Sequence, residues 1–198
     1  MGALTTERLV LRLWQRADRD PFARMNADPR VMEHFPSTLS REESDELADR
    51  IEEHFRQHGF GLYAAELRNP RVFIGYVGLA VPAFRGAFTP CVEIGWRLAA
   101  EHWGQGLATE GAREILRYTF EDLRLDELVS FTVPANLRSR RVMERLGLTH
   151  NPAGDFDHPG LPEGHPLRRH VLYRLRREDW SRSHASPNCG LPKDSENG

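Results

Sequence analysis

The sequence predicts an α+β fold built on one mixed, mostly antiparallel central sheet flanked by helices. Three observations lead to it. Strand-like runs near residues 6–14, 61–67, 72–81 and 91–98 include one pair joined by a turn short enough for an antiparallel hairpin. Apolar residues recur at helical spacing before Gly59 and again from Leu107. Thereafter strand and helix patterns alternate, and the whole order of elements reads as a mixed sheet that is antiparallel in its first half.

Thr6–Trp14 sets Leu9, Leu11 and Leu13 against Arg8, Val10 and Arg12, the alternation of a strand with one buried face. Asp20-Pro21 and Asp28-Pro29 each pair an N-cap with proline at a first helical position, predicting short helices over Phe22–Asn26 and Arg30–Phe35. Ser40 to Glu43 is a capping box, and Leu47, Ile51 and Phe55 carry a helix to Gly59. Gly61–Leu67 and Val72–Val81 read as strands joined through Arg68-Asn69-Pro70-Arg71. Pro82–Pro90 is a loop before the strand Cys91–Leu98. From Leu107, the stripe Ala108, Ala112, Ile115, Leu116, Phe120 and Leu123 predicts a helix lying on the sheet. Leu128–Val133 is a buried strand, and Asn136 caps a helix that keeps Val142, Met143 and Leu146 together and stops at Gly147. Residues 151–166 read as a long loop and His170–Leu175 as a last strand. Residues 1–180 are expected to form a single domain, and the polar, aperiodic stretch 181–198 a disordered tail.

With 198 residues, of which 39% are hydrophobic, the chain can bury one sizeable core. A net charge of −2 gives no global positive field for nucleic acid or a membrane surface. Cys91 and Cys189 form no disulfide framework and no zinc knuckle. No stretch reaches membrane-span length, and the N-terminus lacks the layout of a signal peptide, so a cytoplasmic protein is expected. His158, His165 and His170 with Asp155 and Asp157 lack a regular ligand spacing, and no metal is expected.

Glu101–Gly111, EHWGQGLATEG, places Gly104 and Gly106 between a strand and a helix start, where amide donors go unpaired and a partial positive charge collects. Glycine there lets the backbone curl and lets an anion approach without meeting a Cβ. No Gly-Lys-Ser/Thr follows, so a nucleoside-triphosphate loop is excluded, and Thr109 stands where a dinucleotide fingerprint needs its third glycine. From the loop alone, an anion cradle and an ordinary glycine-rich turn both remain open.

Glu93-Ile94-Gly95-Trp96-Arg97-Leu98, then Glu101 to Glu110, then Asn136-Leu137-Arg138-Ser139-Arg140-Arg141-Val142-Met143 and Leu146-Gly147-Leu148 closely resemble the GNAT superfamily of acyl-coenzyme A N-acyltransferases. Within it the chain looks like the branch of ribosomal-protein N-terminal acetyltransferases. The resemblance runs from about Thr5 to Trp180. One departure is Glu101, where many members carry Gln or Arg. The resemblance implies acetyl-coenzyme A as co-substrate, its diphosphate against the amides of Trp103, Gly104, Gln105, Gly106, Leu107 and Ala108. It also implies a V-shaped splay between the strands ending at Leu98 and starting at Leu128, with the pantetheine arm on the free backbone of Trp96, Arg97 and Leu98. A homodimer is a further expectation of the family.

Transfer to an amine needs a base, a polarised carbonyl and a proton for the departing thiolate. Glu93 is the candidate base: it sits in an otherwise apolar strand, where partial desolvation raises a carboxylate pKa. A carboxylate on a solvated face, or paired with arginine, is the plainer reading. The resemblance implies Ser139 as proton donor, since the ribosomal branch holds a serine at this position and the tyrosine of other branches is replaced here by Val142 or Met143; a first-turn capping hydroxyl is the alternative. Asn136 is an N-cap that can also contact the cofactor. Phe35, Tyr76, Phe84, Phe88 and Trp96 are candidate walls of the acceptor pocket. The leading expectation is acetyl transfer to a primary amine, a protein N-terminus or a small molecule, by direct attack in a ternary complex. A non-catalytic acyl-coenzyme A binding module is the alternative, with Glu93 and Ser139 as the discriminating residues.

Overall fold

The computed structural model describes residues 2–184. In chain order the elements are β1 (Leu4–Thr5), β2 (Leu9–Arg12), α1 (Arg19–Asn26), α2 (Arg41–His58), β3 (Leu62–Arg68), β4 (Arg71–Ala80), β5 (Glu93–Leu98), α3 (Leu107–Arg117), β6 (Glu127–Thr132), α4 (Leu137–Arg145), β7 (Thr149–His150), β8 (Phe156–Asp157), β9 (Arg169–Arg176) and α5 (Arg177–His184). The sheet runs β1-β2-β3-β4-β5-β6-β9-β7, with β8 added on β9. Its neighbours are antiparallel except β5 and β6, which are parallel and connected through α3.

Helix α2 begins as the capping box predicts: Ser40 Oγ accepts from Glu43 N–H and Glu43 Oε2 accepts from Ser40 N–H, and the helix ends at Gly59 with φ +75°. Its Ala48, Ile51 and Phe55 are buried beside Phe22 and Met25 of α1. On the other face of the sheet, α3 lays Leu107, Ala112, Ile115 and Leu116 into the core. Gly111 of that helix is what lets it sit close, since a Cβ there would stand 3.3 Å from Leu9 and Val77 side chains.

Four expectations are corrected. The opening strand is two short strands, because the chain turns at Thr6 and its hydroxyl accepts from Leu9 N–H. No helix forms over Arg30–Phe35: Asp28 Oδ1 accepts from Arg30 N–H at 2.9 Å and its carboxylate holds the Arg30 guanidinium, a local bond that competes with helix continuation. The 151–166 loop contains β8, paired to β9 through Phe156 and His170. Residues 181–184 belong to α5, with Trp180 packed on Phe120 at 5.4 Å, so the expected tail does not start at 181; positions 185–198 lie outside the described residues.

Candidate active site

The site begins where the sheet opens. Strands β5 and β6 pair in register only at Glu93 and Val129, with Val129 N–H donating to Val92 O at 2.9 Å. One step further the rung is made by a side chain: Ser130 Oγ donates to Ile94 O at 2.9 Å. Beyond it the strands part while β6 keeps pairing with β9 as far as Thr132 and Val171.

Antiparallel pairing decides which groups of β5 line that gap. Ala99 N–H donates to Ile74 O, and the alternation of an antiparallel ladder then turns the peptide groups of Glu93, Gly95 and Arg97 toward β4. The peptide groups of Trp96 and Leu98 face the gap. The Leu98 carbonyl is already taken, accepting from Trp103 Nε1 at 2.8 Å. Trp96 N–H and C=O and Leu98 N–H therefore form the open edge, and the expected backbone role of Arg97 is corrected: its peptide belongs to the β4 ladder.

The glycine loop lies at the end of the gap. Gly104 and Gly106 have φ of +74° and +77°, the left-handed region that glycine enters freely. A Cβ at Gly104 would meet nothing within 4 Å and one at Gly106 would face Arg8 Nη2 at 3.7 Å, so neither position is crowded by the protein. The amides of Gly104 to Thr109 find no acceptor among the described residues, whereas Trp103 N–H donates to Ala100 O and drops out of the expected cradle. Trp103 contributes its ring instead, under the Arg138 guanidinium at 4.4 Å. Gln105 does not line the cavity; its side chain donates to Glu101 O.

Sequence reasoning missed the brace behind this loop. Arg8 donates from Nη1 to Gln105 O at 2.9 Å and from Nε to Glu110 Oε2 at 2.6 Å, and Glu110 Oε1 accepts from Thr6 Oγ1 and Arg8 N–H. These contacts hold the Glu110 carboxylate below its ordinary range against the cost of burial. Ser130 was missed too, although its hydroxyl, one of two in the otherwise apolar run Leu128–Val133, was its signal.

One cavity of about 850 Å³ joins cradle, gap and acceptor side. Glu93, Gly95 and Arg97 share one face of β5, opposite Ala80, Gly78 and Tyr76 of β4, and this is the face that α1 covers. Trp96 looks the other way, opposite Val77. Glu93 lines the cavity, and burial alone, with no neighbouring charge opposing it, pushes its carboxyl up to about 8. Gly95 beside it presents no side chain, and a Cβ there would meet nothing within 4 Å. At the start of α4, Asn136 Oδ1 accepts from Ser139 N–H at 3.1 Å and its Nδ2 donates to Thr132 Oγ1, leaving one amide proton for any ligand. Ser139 and Val142 line the cavity beside it.

Of the aromatic residues expected to wall the acceptor pocket, Phe35, Tyr76, Phe84 and Trp96 line the cavity. Phe88 does not; it backs Phe84 in an aromatic cluster with Phe131 and Phe156. His158 and His170 close that wall with rings 5.2 Å apart, and burial lowers both pKa values, favouring neutral imidazoles. Asp155 instead pairs with His150, and Asp157 with Arg169.

The Acetyltransferase (GNAT) domain family matches residues 8–149, a span holding the splay, the cradle, Glu93 and Ser139. FsC-acetyl coenzyme A-N(2)-transacetylase of Aspergillus fumigatus is 43% identical over 98 residues, 48% of this chain and 40% of that protein, so the match spans well under half of that relative's length. The uncharacterized N-acetyltransferase YnaD of Bacillus subtilis is 25% identical over 90% of this chain and 99% of its own. An acetyltransferase from Agrobacterium tumefaciens superposes with a TM-score of 0.72 at 28% identity, covering 89% of this chain and 95% of its own. No helix among the described residues is long and apolar enough to cross a membrane. With a family match over residues 8–149, most of its length, the chain belongs to the GNAT acetyltransferase family.

Proposed function

We propose that the protein transfers an acetyl group from acetyl-coenzyme A to a primary amine by direct attack in a ternary complex, with Glu93 as base and Ser139 as proton donor. The observation that carries the proposal is the position of Glu93: a carboxyl with a raised pKa, on the face of β5 that looks into the acceptor side, beside the bare Gly95.

The chain fits the co-substrate through unpaired backbone. Amides at Gly104 to Ala108 suit the diphosphate, and the positive φ of Gly104 and Gly106 curls the backbone that presents them. The open edge at Trp96 and Leu98 suits the amides of the pantetheine arm as an added strand. Arg138 and Arg141 on α4 are within the same cavity for further phosphate contacts. When bound, the co-substrate supplies the activated thioester.

The rest falls to side chains. Glu93, ionised above about pH 8, accepts the amine proton at its carboxylate directly or through one water. Ser139 Oγ, which has no hydrogen-bond partner among the described residues, holds a proton toward the sulfur side of the cavity. The aromatic wall keeps water out of the acceptor side. Cys91 takes no part: it does not line the cavity, and burial pushes its thiol up to about 11, away from a nucleophile's range. A module that only binds acyl-coenzyme A has no use for an unpaired carboxyl on the acceptor face. The same reading has the enzyme working in the cytosol on acceptors in solution, with self-association to a homodimer checked by light scattering.

Thiol release from acetyl-coenzyme A across a library of amines and peptide N-termini tests the proposal, with calorimetry of coenzyme A binding beside it. Turnover of a subset of acceptors is expected. Silence across the library, with coenzyme A bound, leaves only the binding module; silence without binding removes both.

A further inference from the structure

Arg97 is a cation without a counter-ion. It is 9% exposed, yet it makes no ion pair among the described residues. Nη1 donates to Asn26 Oδ1 at 2.7 Å, Asn26 in turn donating to Ser44 Oγ at 2.9 Å, so its one hydrogen-bond partner is a neutral amide. Phe35 lies over the guanidinium at 4.0 Å and Tyr76 at 5.5 Å. Nε is buried with no hydrogen-bond partner among the described residues. A guanidinium carries five donors and a charge, and burying it unpaired is among the costlier arrangements a protein can keep.

Its position gives that cost a purpose. Arg97 lines the cavity on the same face as Gly95 and Glu93, two residues along from Gly95, which is roughly 7 Å in an extended strand. Among the described lining residues there are five arginines, at 30, 97, 138, 141 and 145, and one acid, Glu93. Three of those arginines belong to or flank α4 on the cofactor side. Arg97 stands apart from them, reaching toward α1 through Asn26 and under Phe35 on the acceptor side.

We infer that the acceptor is an amine carrying a carboxylate, which Arg97 binds while the amine lies over Gly95 beside Glu93. The acetyl transfer proposed above is its premise. The carboxylate would supply the counter-ion that the fold withholds, and a guanidinium fork matches carboxylate geometry better than any other side chain. Polyamines are disfavoured by the same arrangement, since a second ammonium group would meet Arg97 and find no acid beyond Glu93. Phe84, Phe131, His158 and His170 leave an apolar, uncharged wall for the body of the acceptor.

The test compares matched acceptors on the intact enzyme: amino acids against their carboxamides, β-alanine against β-alaninamide, and spermidine. Thiol release gives kcat/KM, and calorimetry with coenzyme A present gives binding without turnover. The carboxylates are expected to exceed their amides by roughly 10- to 100-fold in both readings, the range of a charge-assisted hydrogen bond, with spermidine below both. Arg97→Gln should erase the preference, lowering the carboxylates and sparing the amides. A purely structural arginine would lower both alike. Arg97→Lys keeps the charge and should keep part of the preference, which covers the case in which Arg97→Gln does not fold; the wild-type comparison needs neither variant. Amides or spermidine handled as well as carboxylates would overturn the acceptor assignment and leave acetyl transfer standing. Coenzyme A binding with no acceptor turned over would overturn acetyl transfer, and the assignment with it.

Discussion

Ser130 Oγ donates to the carbonyl of Ile94 at 2.9 Å, one residue past the last backbone rung between β5 and β6. Both residues are buried, and the bond ends the ladder without leaving Ile94 O orphaned. A hydroxyl in place of a peptide group lets the strands separate from this point, which is what opens the edge at Trp96.

Ser130→Ala should therefore cost about 1 to 3 kcal/mol, the penalty for an unsatisfied buried acceptor, and weaken coenzyme A binding as the gap loses its fixed apex. Chemical unfolding and calorimetry measure the two effects. Unchanged stability would mean that another donor reaches Ile94 O.

Gly106→Val addresses the cradle. At φ +77° a β-branched residue is strained by roughly 1 to 2 kcal/mol, and its Cβ would stand at ordinary contact distance from Arg8 Nη2, 3.7 Å away, without a clash. The fold should survive with a lowered melting temperature, while coenzyme A affinity falls about 10-fold or more as amide contacts are blocked. Parent-like affinity would remove the phosphate site from this loop.

Much of this architecture was legible because it is local. The capping box at Ser40, the stop at Gly59, the stripe from Leu107 and the glycine pair at Gly104 and Gly106 each state their structure within a few residues. Glu93 was legible as a carboxylate in an apolar run. The remainder depends on partners distant in sequence. Arg8 and Glu110 are 102 positions apart, and nothing near either announces the brace. Trp103 reads as part of an amide cradle until its indole is seen to cap Leu98 O. Arg97 reads as edge backbone until the register with Tyr76 turns its peptide to β4 and its side chain to the acceptor side. The missing helix at Arg30 was lost to a side-chain bond from Asp28 that competes with the helix pattern.

Ser139→Ala separates proton donation from capping. The cap of α4 is Asn136 Oδ1 on the Ser139 amide, a bond that alanine keeps. Stability and coenzyme A affinity should stay near those of the parent while kcat falls by roughly 10²-fold, the lower end for a lost general acid. An unchanged kcat would return Ser139 to the helix surface.

Glu93 should also mark the stability of the fold. Its carboxyl rises from an ordinary value of 4.5 to about 8, so the folded state favours the neutral form. The contribution is fully present below about pH 4.5 and is lost as pH rises through about 8. Glu93→Gln cannot ionise, so its stability relative to the parent should increase over that window, read from denaturant midpoints at stepped pH. A difference that stays constant with pH would place the carboxyl in water.

The pH dependence of kcat, with acetyl-coenzyme A and acceptor both saturating, tests the catalytic account most directly. For the parent, the rate should rise through a single ionisation near 8, at the same pH for two acceptors whose amines differ in pKa. Glu93→Gln should lose that inflection and about 10² to 10⁴ in kcat, with acetyl-coenzyme A affinity nearly unchanged. An inflection that follows the pKa of each amine, together with a Glu93→Gln enzyme that keeps most of its kcat, would show that proximity alone drives the transfer and that Glu93 is not the base.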